Sequence, residues 1–290
     1  MGFVKRKTVQ HINIVGHSGC GLELIENDLI LKYTIDNSYR NRLLKQCEKQ
    51  QTFCLNQNSQ NITIPKVINQ INDSTKYGFV MEYFRANDFI SFLEISLIEE
   101  ILIKIKYLIE FVDENIKSSP ITVIDKNVIL KKFKEVEENI NKRFFDKFVN
   151  ILNLIEIKLN RMSDNISLPF GFCHGDLTFS NVLIQNENIV LIDFLDSFIE
   201  TPLQDIVKLR QDTSHLWSLN LIHKECDRTK IKIIMKFLDS YIEDYFSKYD
   251  FYREYYLIFQ QINLLRIVPY AKDEKIVNYL LNELKKLGEK

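Results

Sequence analysis

Three oxygen-bearing side chains near the middle of the sequence have the types and spacing needed for phosphoryl transfer. Asp176 and Asn181 flank one loop, and Asp193 ends an apolar segment that begins at Val190. A carboxylate can orient an attacking hydroxyl group and accept its proton, while an amide oxygen and a second carboxylate are hard ligands that suit Mg²⁺. The combination predicts a site that transfers a phosphoryl group from a triphosphate.

Each of these residues also has a simpler interpretation. Asp176 could be a loop cap, and Asn181, which precedes an apolar segment, could be a turn residue. Asp193 is harder to explain as an ordinary strand residue, because it follows an apolar run and an unpaired buried carboxylate is costly. A metal ion or a lysine partner would resolve that cost.

Two short predicted strands must position the three side chains. The first strand is predicted at Val182–Ile184 and the second at Ile189–Phe194, with a turn at Asn186–Asn188 between them. A hairpin of this kind would hold Asp176, Asn181 and Asp193 at the mouth of one cleft.

The rest of the chain divides into a strand-rich and a helix-rich part. Alternating apolar residues between turns predict strands at Val9–Val15, Leu22–Ile25, Leu29–Thr34, Ile64–Ile71 and Tyr77–Phe84. Helical spacing predicts helices at Asp36–Leu55, Phe89–Ile116, Lys126–Ile140 and Phe144–Met162, and again from Leu203 to the C-terminus. The boundary between the two parts is predicted between Phe84 and Asp88.

Three consecutive motifs resemble those of the aminoglycoside phosphotransferase and choline kinase-like family, which is distantly related to protein kinases. The family loop H-G-D-x-x-x-x-N is matched by His174, Gly175, Asp176 and Asn181. The metal motif I-D-F/L is matched by Ile192, Asp193 and Phe194, and P-x-x-D-[IL] by Pro202, Asp205 and Ile206. The match covers the middle of the chain, while the first part matches more loosely and the C-terminal helices carry no such motif.

The resemblance implies an α+β, bilobal, protein-kinase-like fold. Its N-terminal lobe would be a small antiparallel β-sheet with one helix, covering the nucleotide and spanning residues 1–85. Its C-terminal lobe would be larger and mainly helical, with a catalytic β-hairpin and the substrate site, and would span residues 86–290. The implied activity is that of a small-molecule kinase that uses ATP and Mg²⁺.

The resemblance also implies a role for each motif residue. Asp176 would be the catalytic base or would orient the hydroxyl group, and Asn181 and Asp193 would bind Mg²⁺. His174 and Asp205 would brace the catalytic loop through hydrogen bonds. Asp205 could equally be a carboxylate at a helix N-terminus, and the two interpretations stay open.

The predicted nucleotide-covering part contains a lysine in the expected place. Lys32 lies in the apolar strand Leu29–Thr34, and Glu48 on the following helix is its expected ion-pair partner. Both could instead be exposed charges. Backbone groups around Glu82 and Phe84 are expected to bond the adenine edge.

A glycine-rich segment precedes that lysine. Gly16–Gly21 fits the start of a P-loop, but Leu22 and Glu23 stand where a P-loop requires Lys and Ser or Thr. We therefore exclude a P-loop and expect Ser18 and Gly19 to lie near the phosphates.

Departures from protein kinases favour a small acceptor. The loop contains H-G-D rather than H-R-D, Leu195 replaces the glycine of D-F-G, and no A-P-E segment follows. Candidates for the acceptor pocket are Asp196, Glu200, Asp212, His215 and Trp217. An aromatic ring beside carboxylates suits a cationic amino alcohol such as choline, but the same groups could bind a sugar or an aminoglycoside.

Composition excludes several other classes of protein. The formal net charge of -1 gives no general attraction to nucleic acid or anionic membranes. The 5 cysteines are scattered, which argues against a disulfide framework or a zinc site and favours a cytoplasmic protein. The main alternative is a nucleotide-binding pseudokinase or scaffold without turnover, and a metal hydrolase is less favoured because its clusters are missing. The oligomeric state and the preference for ATP or GTP stay open.

Overall fold

The computed structural model describes residues 20–25, 28–56, 59–73, 75–222 and 224–289. Within these ranges the strands are β1 (Gly21–Ile25), β2 (Leu29–Thr34), β3 (Ile62–Thr63), β4 (Val67–Asn72), β5 (Tyr77–Glu82), β6 (Asn87–Asp88), β7 (Ile121–Asp125), β8 (Asn165–Pro169), β9 (Val182–Gln185) and β10 (Asn188–Leu191). The α-helices are α1 (Asn37–Asn56), α2 (Phe89–Ile95), α3 (Ile98–Ser118), α4 (Asn127–Asn139), α5 (Lys142–Arg161), α6 (Pro202–Thr213), α7 (Trp217–Leu221), α8 (Arg228–Phe246), α9 (Asp250–Leu265) and α10 (Glu274–Gly288). Short 3₁₀ helices cover Phe179–Asn181 and Val268–Tyr270.

Contacts divide the chain into two compact units. The first unit contains the residues up to Phe89 together with Asn181–Asp196, and the second contains Ile90–Ser180 and Ser197–Lys290. This division differs from the lobes expected at 1–85 and 86–290, because the hairpin of β9 and β10 groups with the first unit. The hairpin does so because β10 pairs in parallel with β3, and β9 pairs antiparallel with β6.

The first unit is built on an antiparallel sheet with the order β1-β2-β5-β4. Alternate side chains of β2 and β5 face α1, which buries one side of its own surface against them. Ile30, Leu43, Cys47, Phe79 and Met81 form part of this core. The strand-rich part with one helix that the sequence predicts is thus confirmed for the described residues, while the strand predicted at Val9–Val15 lies outside them.

The second unit consists mainly of helices, together with the antiparallel pair of β7 and β8. The sequence patterns predict most of these helices but miss this pair of strands. The helix predicted over Phe89–Ile116 is wrong in one respect, because the chain leaves the helical path at Ser96 and Leu97 between α2 and α3. Glu100 accepts a hydrogen bond from the backbone N–H of Leu97 and so caps the start of α3.

The centre of the second unit is α6. Thr201 caps this helix by accepting a hydrogen bond from the backbone N–H of Leu203, and Pro202 occupies its first turn. Almost every residue of α6 is buried, as expected of a helix surrounded by other elements. Among the described residues, no helix is both long and apolar enough to cross a membrane.

Candidate active site

Lys32 is placed by the alternation of side chains along β2. Ile30, Lys32 and Thr34 share the face of the strand that packs toward α1, and Lys32 is only 4% exposed. A buried ammonium group needs polar partners. Lys32 Nζ has two: it lies 2.7 Å from Asp193 Oδ1 and donates a hydrogen bond of 2.8 Å to Gln46 Oε1.

The helix partner of Lys32 is therefore Gln46, and the prediction that Glu48 fills this role is wrong. The buried face of α1 carries Gln46 together with Leu43, Cys47 and Gln50. Glu48 is exposed, because two residues along an α-helix correspond to a rotation of about 200°. The charge of Glu48 makes it the expected partner of a lysine, whereas the helix face determines which side chain reaches Lys32.

Asp193 follows β10 and has a left-handed backbone conformation, with φ of 63°. Such a conformation is uncommon for a residue other than glycine, and it turns the chain sharply at the end of the strand. The sequence pattern indicated that an unpaired carboxylate at this position would be costly. The ion pair with Lys32 gives the Asp193 carboxylate its partner. The Asp193 side chain is still 40% exposed, so ligands can reach it.

Helix α1 also holds the segment that follows Asp193. Lys49 Nζ donates to the backbone oxygen of Leu195 at 2.6 Å, and the rings of Phe53 and Phe194 lie 4.8 Å apart. Asp196 is exposed and pairs with Lys45 at 3.0 Å. These contacts tie the metal motif to the helix that carries Gln46, and they give Asp196 a partner within the first unit.

Asn181 and Asp193 have the chemistry expected of Mg²⁺ ligands. The backbone oxygen of Asn181 accepts a hydrogen bond of 3.1 Å from Ile192 N, which links the start of β9 to the residue before Asp193. An amide oxygen and a carboxylate fit a cation that is usually held by one or two protein oxygens together with phosphate oxygens. In the described part of the chain, no group of three or more His, Cys, Asp or Glu side chains could hold a metal ion.

The loop that carries Asp176 is fixed by a buried carboxylate from α6. Asp205 accepts hydrogen bonds from the backbone N–H groups of His174, at 2.7 Å, and Gly175, at 2.8 Å. Gly175 has a φ of 86°, a backbone conformation that residues other than glycine rarely adopt. Asp205 also lies in the first turn of α6, so both interpretations of this residue apply at once.

The imidazole ring of His174 supports the same loop from within. His174 is fully buried, and its Nδ1 accepts a hydrogen bond of 3.2 Å from the backbone N–H of Asp176. The ring therefore bonds the backbone at Asp176, and the bracing role that the resemblance implies for His174 stays a prediction.

Asp212 has a structural role in place of the acceptor-binding role that the sequence predicts. Its two carboxylate oxygens accept hydrogen bonds of 2.6 Å from the backbone N–H groups of Phe179 and Ser218. Asp212 has no exposed surface, so it cannot contact an acceptor. Burial raises its pKa to about 6, although these backbone hydrogen bonds oppose the shift.

Asp176 has a partner that the sequence reasoning missed. Lys208 Nζ lies 3.0 Å from Asp176 Oδ1, and the two side chains are 13% and 24% exposed. Lys208 follows Asp205 by three residues on α6, so both lie on the side of the helix that faces the loop carrying Asp176. This helical spacing from the P-x-x-D motif is the sequence signal that could have identified Lys208.

The other predicted acceptor residues each have a separate partner in the second unit. Glu200 accepts hydrogen bonds from Ser197 N at 2.7 Å and from the Cys173 thiol at 3.1 Å. His215 is buried and pairs with Glu283 at 2.9 Å, and the ring of Trp217 lies 6.2 Å from that of Tyr279. Local packing therefore accounts for these side chains.

Two backbone N–H groups of the predicted adenine-binding segment form hydrogen bonds within the first unit. Glu82 N donates to the backbone oxygen of Lys66 at 3.1 Å, and Tyr83 N donates to that of Asp28 at 2.8 Å. Phe84 follows in a half-buried loop. Ser18 and Gly19 lie outside the described residues.

Comparison of the sequence with protein families agrees with the motifs. The model of the phosphotransferase enzyme family (APH) matches residues 132–255. This range contains Asp176, Asn181 and Asp193, as well as α6. No curated protein matches the chain.

Comparison of the fold with solved structures finds similarity to kinases that act on small molecules. Aminoglycoside phosphotransferase APH(4)-Ia, in a ternary complex with ADP and hygromycin B, has a TM-score of 0.63 at 9% identity, covering 96% of this chain and 92% of that chain. A ternary complex of APH(2")-IIa with streptomycin and ATP has a TM-score of 0.59 at 15% identity, covering 98% and 92%. Glucosamine kinase in complex with glucosamine, ADP and inorganic phosphate has a TM-score of 0.58 at 10% identity, covering 92% and 78%.

The fold and the family match agree with each other. The antiparallel sheet with its helix and the mainly helical second unit are the elements expected of this fold class. The resemblance predicted from the motifs is therefore confirmed: the chain has a protein-kinase-like fold and is similar to the small-molecule kinases of the phosphotransferase enzyme family.

Proposed function

We propose that this protein transfers the γ-phosphoryl group of ATP, with Mg²⁺, to a hydroxyl group of a small polar metabolite. The observation that carries the proposal is the set of hydrogen bonds that fixes the loop carrying Asp176. Its loop is held by Asp205 through the backbone N–H groups of His174 and Gly175. A base must be positioned in this way to orient a hydroxyl group and accept its proton.

The first unit contributes the residues proposed to bind the nucleotide. Lys32 would bind phosphate oxygens, while Asn181 and Asp193 would hold Mg²⁺. The metal ion, when bound, would neutralise charge on the phosphates. The short contact between Lys32 and Asp193 supports this assignment, because it brings a cation for phosphate and an anion for metal together in one unit.

The acceptor is proposed as an amino alcohol such as choline, or as a sugar or aminoglycoside. The similar solved structures are complexes with hygromycin B, streptomycin and glucosamine, and they support the sugars and aminoglycosides within this range. Because Asp212 is buried and Glu200 is bonded locally, we assign no acceptor-binding carboxylate. Other similar structures contain GDP, so GTP is included below as a second donor.

The experiment measures nucleoside diphosphate release from ATP and from GTP with Mg²⁺. Choline, ethanolamine, simple sugars and aminoglycosides are supplied one at a time as acceptors. We expect one class of acceptor to stimulate release and Asp176→Asn to lower kcat by about 10²–10⁴-fold, with nucleotide binding retained. Turnover by Asp176→Asn at the wild-type rate would contradict the proposal.

A nucleotide-binding protein without turnover is the second candidate. One observation favours it: the helix partner of Lys32 is the neutral Gln46, whereas active protein kinases use a glutamate. Saturable nucleotide binding without release of diphosphate, with every acceptor and both donors, would support this alternative.

A further inference from the structure

The contact between Lys208 and Asp176 requires an explanation beyond folding. All residues of α6 are described, and Lys208 alone among them is not buried. Its charged end is directed to the carboxylate that we propose as the base, at 3.0 Å.

Lys208 also contacts a buried amide side chain, which is hydrogen-bonded in turn to a second buried amide side chain. Lys208 Nζ also donates to Gln211 Oε1 at 3.4 Å, and the same oxygen accepts a hydrogen bond of 2.6 Å from Asn263 Nδ2 on α9. Gln211 and Asn263 are each only 1% exposed. Lys208 is thus linked through Gln211 to Asn263 of α9, by a contact longer than its contact with Asp176.

We infer that Lys208 is a positioning residue for phosphoryl transfer, which holds the Asp176 carboxylate in the orientation that accepts the hydroxyl proton. The inference rests on the proposed function. In the transfer, the acceptor oxygen forms a bond to the γ-phosphorus while the bond from that phosphorus to the bridging oxygen of ADP breaks. ADP leaves with that electron pair, and the acceptor proton passes to Asp176.

A charged partner suits this role better than a neutral one. A hydrogen bond between an ammonium group and a carboxylate is short and fixes the carboxylate more firmly than a bond to a neutral group does. Lys208 comes from a helix and not from the loop itself, so the position of its backbone does not depend on the conformation of the loop. A purely structural role is the competing explanation, although ion pairs that reach solvent usually add little to stability.

The test compares Lys208→Met with a matched lysine elsewhere in the second unit. Lys132 on α4 pairs with Glu135 at 3.1 Å and has a side chain that is 22% exposed, so Lys132→Met removes a similar ion pair. We expect Lys208→Met to lower kcat by about 10²-fold, with the KM for nucleotide unchanged within about twofold. Lys132→Met is expected to keep the wild-type kcat, and Lys208→Arg to recover at least part of the loss.

A double-variant cycle separates positioning from a general effect on the fold. If Lys208 acts through Asp176, then Lys208→Met should change kcat by less than about twofold when Asp176 is already Asn. The inference is overturned if Lys208→Met keeps the wild-type kcat, or if the two substitutions lower kcat by independent factors. A wild-type protein without turnover would instead refute the proposed function, and with it the inference, so the two failures are distinguishable.

Discussion

Among the described residues, each unit contains a lysine that contacts an aspartate of the motifs found in the sequence. In the first unit Lys32 lies 2.7 Å from Asp193, and in the second unit Lys208 lies 3.0 Å from Asp176. The first pair joins the proposed phosphate-binding and metal-binding residues, whereas the second joins a lysine to the proposed base. The same type of contact would thus serve ligand binding in one unit and proton acceptance in the other.

The two lysines differ in their second partner. Gln46 accepts a hydrogen bond of 2.8 Å from Lys32, while Gln211 accepts one of 3.4 Å from Lys208. Lys32 is also the more deeply buried, with a side-chain exposure of 5% against 13%. Lys32 is therefore held by two short bonds, whereas Lys208 has one short contact, with its aspartate, and one longer contact, with Gln211.

Among substitutions of the residues that contact the two aspartates, the largest expected effect comes from removing the lysine of the first unit. Lys32→Met should lower kcat/KM by about 10²–10³-fold, the usual loss when one positioned donor for developing charge is removed. It should also weaken nucleotide binding, because the phosphates lose their proposed cation. Steady-state kinetics and calorimetric titration with nucleotide would measure the two effects.

The matched variant in the second unit is Lys208→Met, which is expected to lower kcat without weakening nucleotide binding. Equal losses of nucleotide affinity in the two variants would remove the distinction between the pairs. Retention of nucleotide affinity in Lys32→Met would contradict the role proposed for that lysine.

The buried carboxylate of Asp212 predicts a dependence of stability on pH in the unit that contains the proposed base. Its folded-state pKa of about 6 lies above the ordinary value of 3.8. Its stabilising contribution is therefore fully present below pH 3.8 and is lost as pH rises through about 6. The shift corresponds to at most about 3 kcal/mol.

Asp212→Asn cannot ionise, so its stability relative to the wild type should improve between about pH 4 and about pH 7. Free energies of unfolding from urea titrations at both pH values would show this change, with the exposed Asp146→Asn as the control. A constant difference between Asp212→Asn and the wild type would show that Asp212 does not titrate in this range.

The apolar segment before Asp193 was sufficient to predict that this carboxylate needs a metal ion or a lysine as its partner. A lysine in an apolar strand and an aspartate after one are unusual enough to need partners, and the structure pairs them with each other. The family resemblance implied that Asp205 braces the loop, and Asp205 accepts two backbone hydrogen bonds from it.

The sequence was less informative wherever the orientation of a helix decides the partner. The charge of Glu48 favours it as the partner of Lys32, but the buried face of α1 presents Gln46. Lys208 and Asp212 resemble ordinary charges on a helix surface until α6 is known to be buried on nearly all sides. The grouping of the hairpin with the first unit depends on the pairing of β10 with β3, which joins segments far apart in the sequence.

A change of charge at Gln46 would sharpen the comparison of the two pairs. Gln46→Glu places a second carboxylate beside Lys32, which should weaken the ion pair between Lys32 and Asp193. Asp193 would then be more available to bind Mg²⁺. We expect the Mg²⁺ concentration for half-maximal activity to fall about three- to tenfold, the equivalent of one hydrogen bond. Glu48→Gln alters an exposed residue of the same helix and should leave the Mg²⁺ requirement unchanged. An increased requirement in Gln46→Glu would contradict competition for Lys32.

The smallest expected effect concerns the glutamine of the second pair. Gln211→Met removes the acceptor that lies 3.4 Å from Lys208, a contact too long to be a strong hydrogen bond. We therefore expect kcat to fall by only about twofold, while Gln46→Met, which removes the bond of 2.8 Å to Lys32, should have a larger effect on kcat/KM. Parallel kinetics of the two variants would test this order. If Gln211→Met lowers kcat as much as Lys208→Met does, then the buried amides of α6 and α9, and not the ion pair with Asp176, determine where the ammonium group lies.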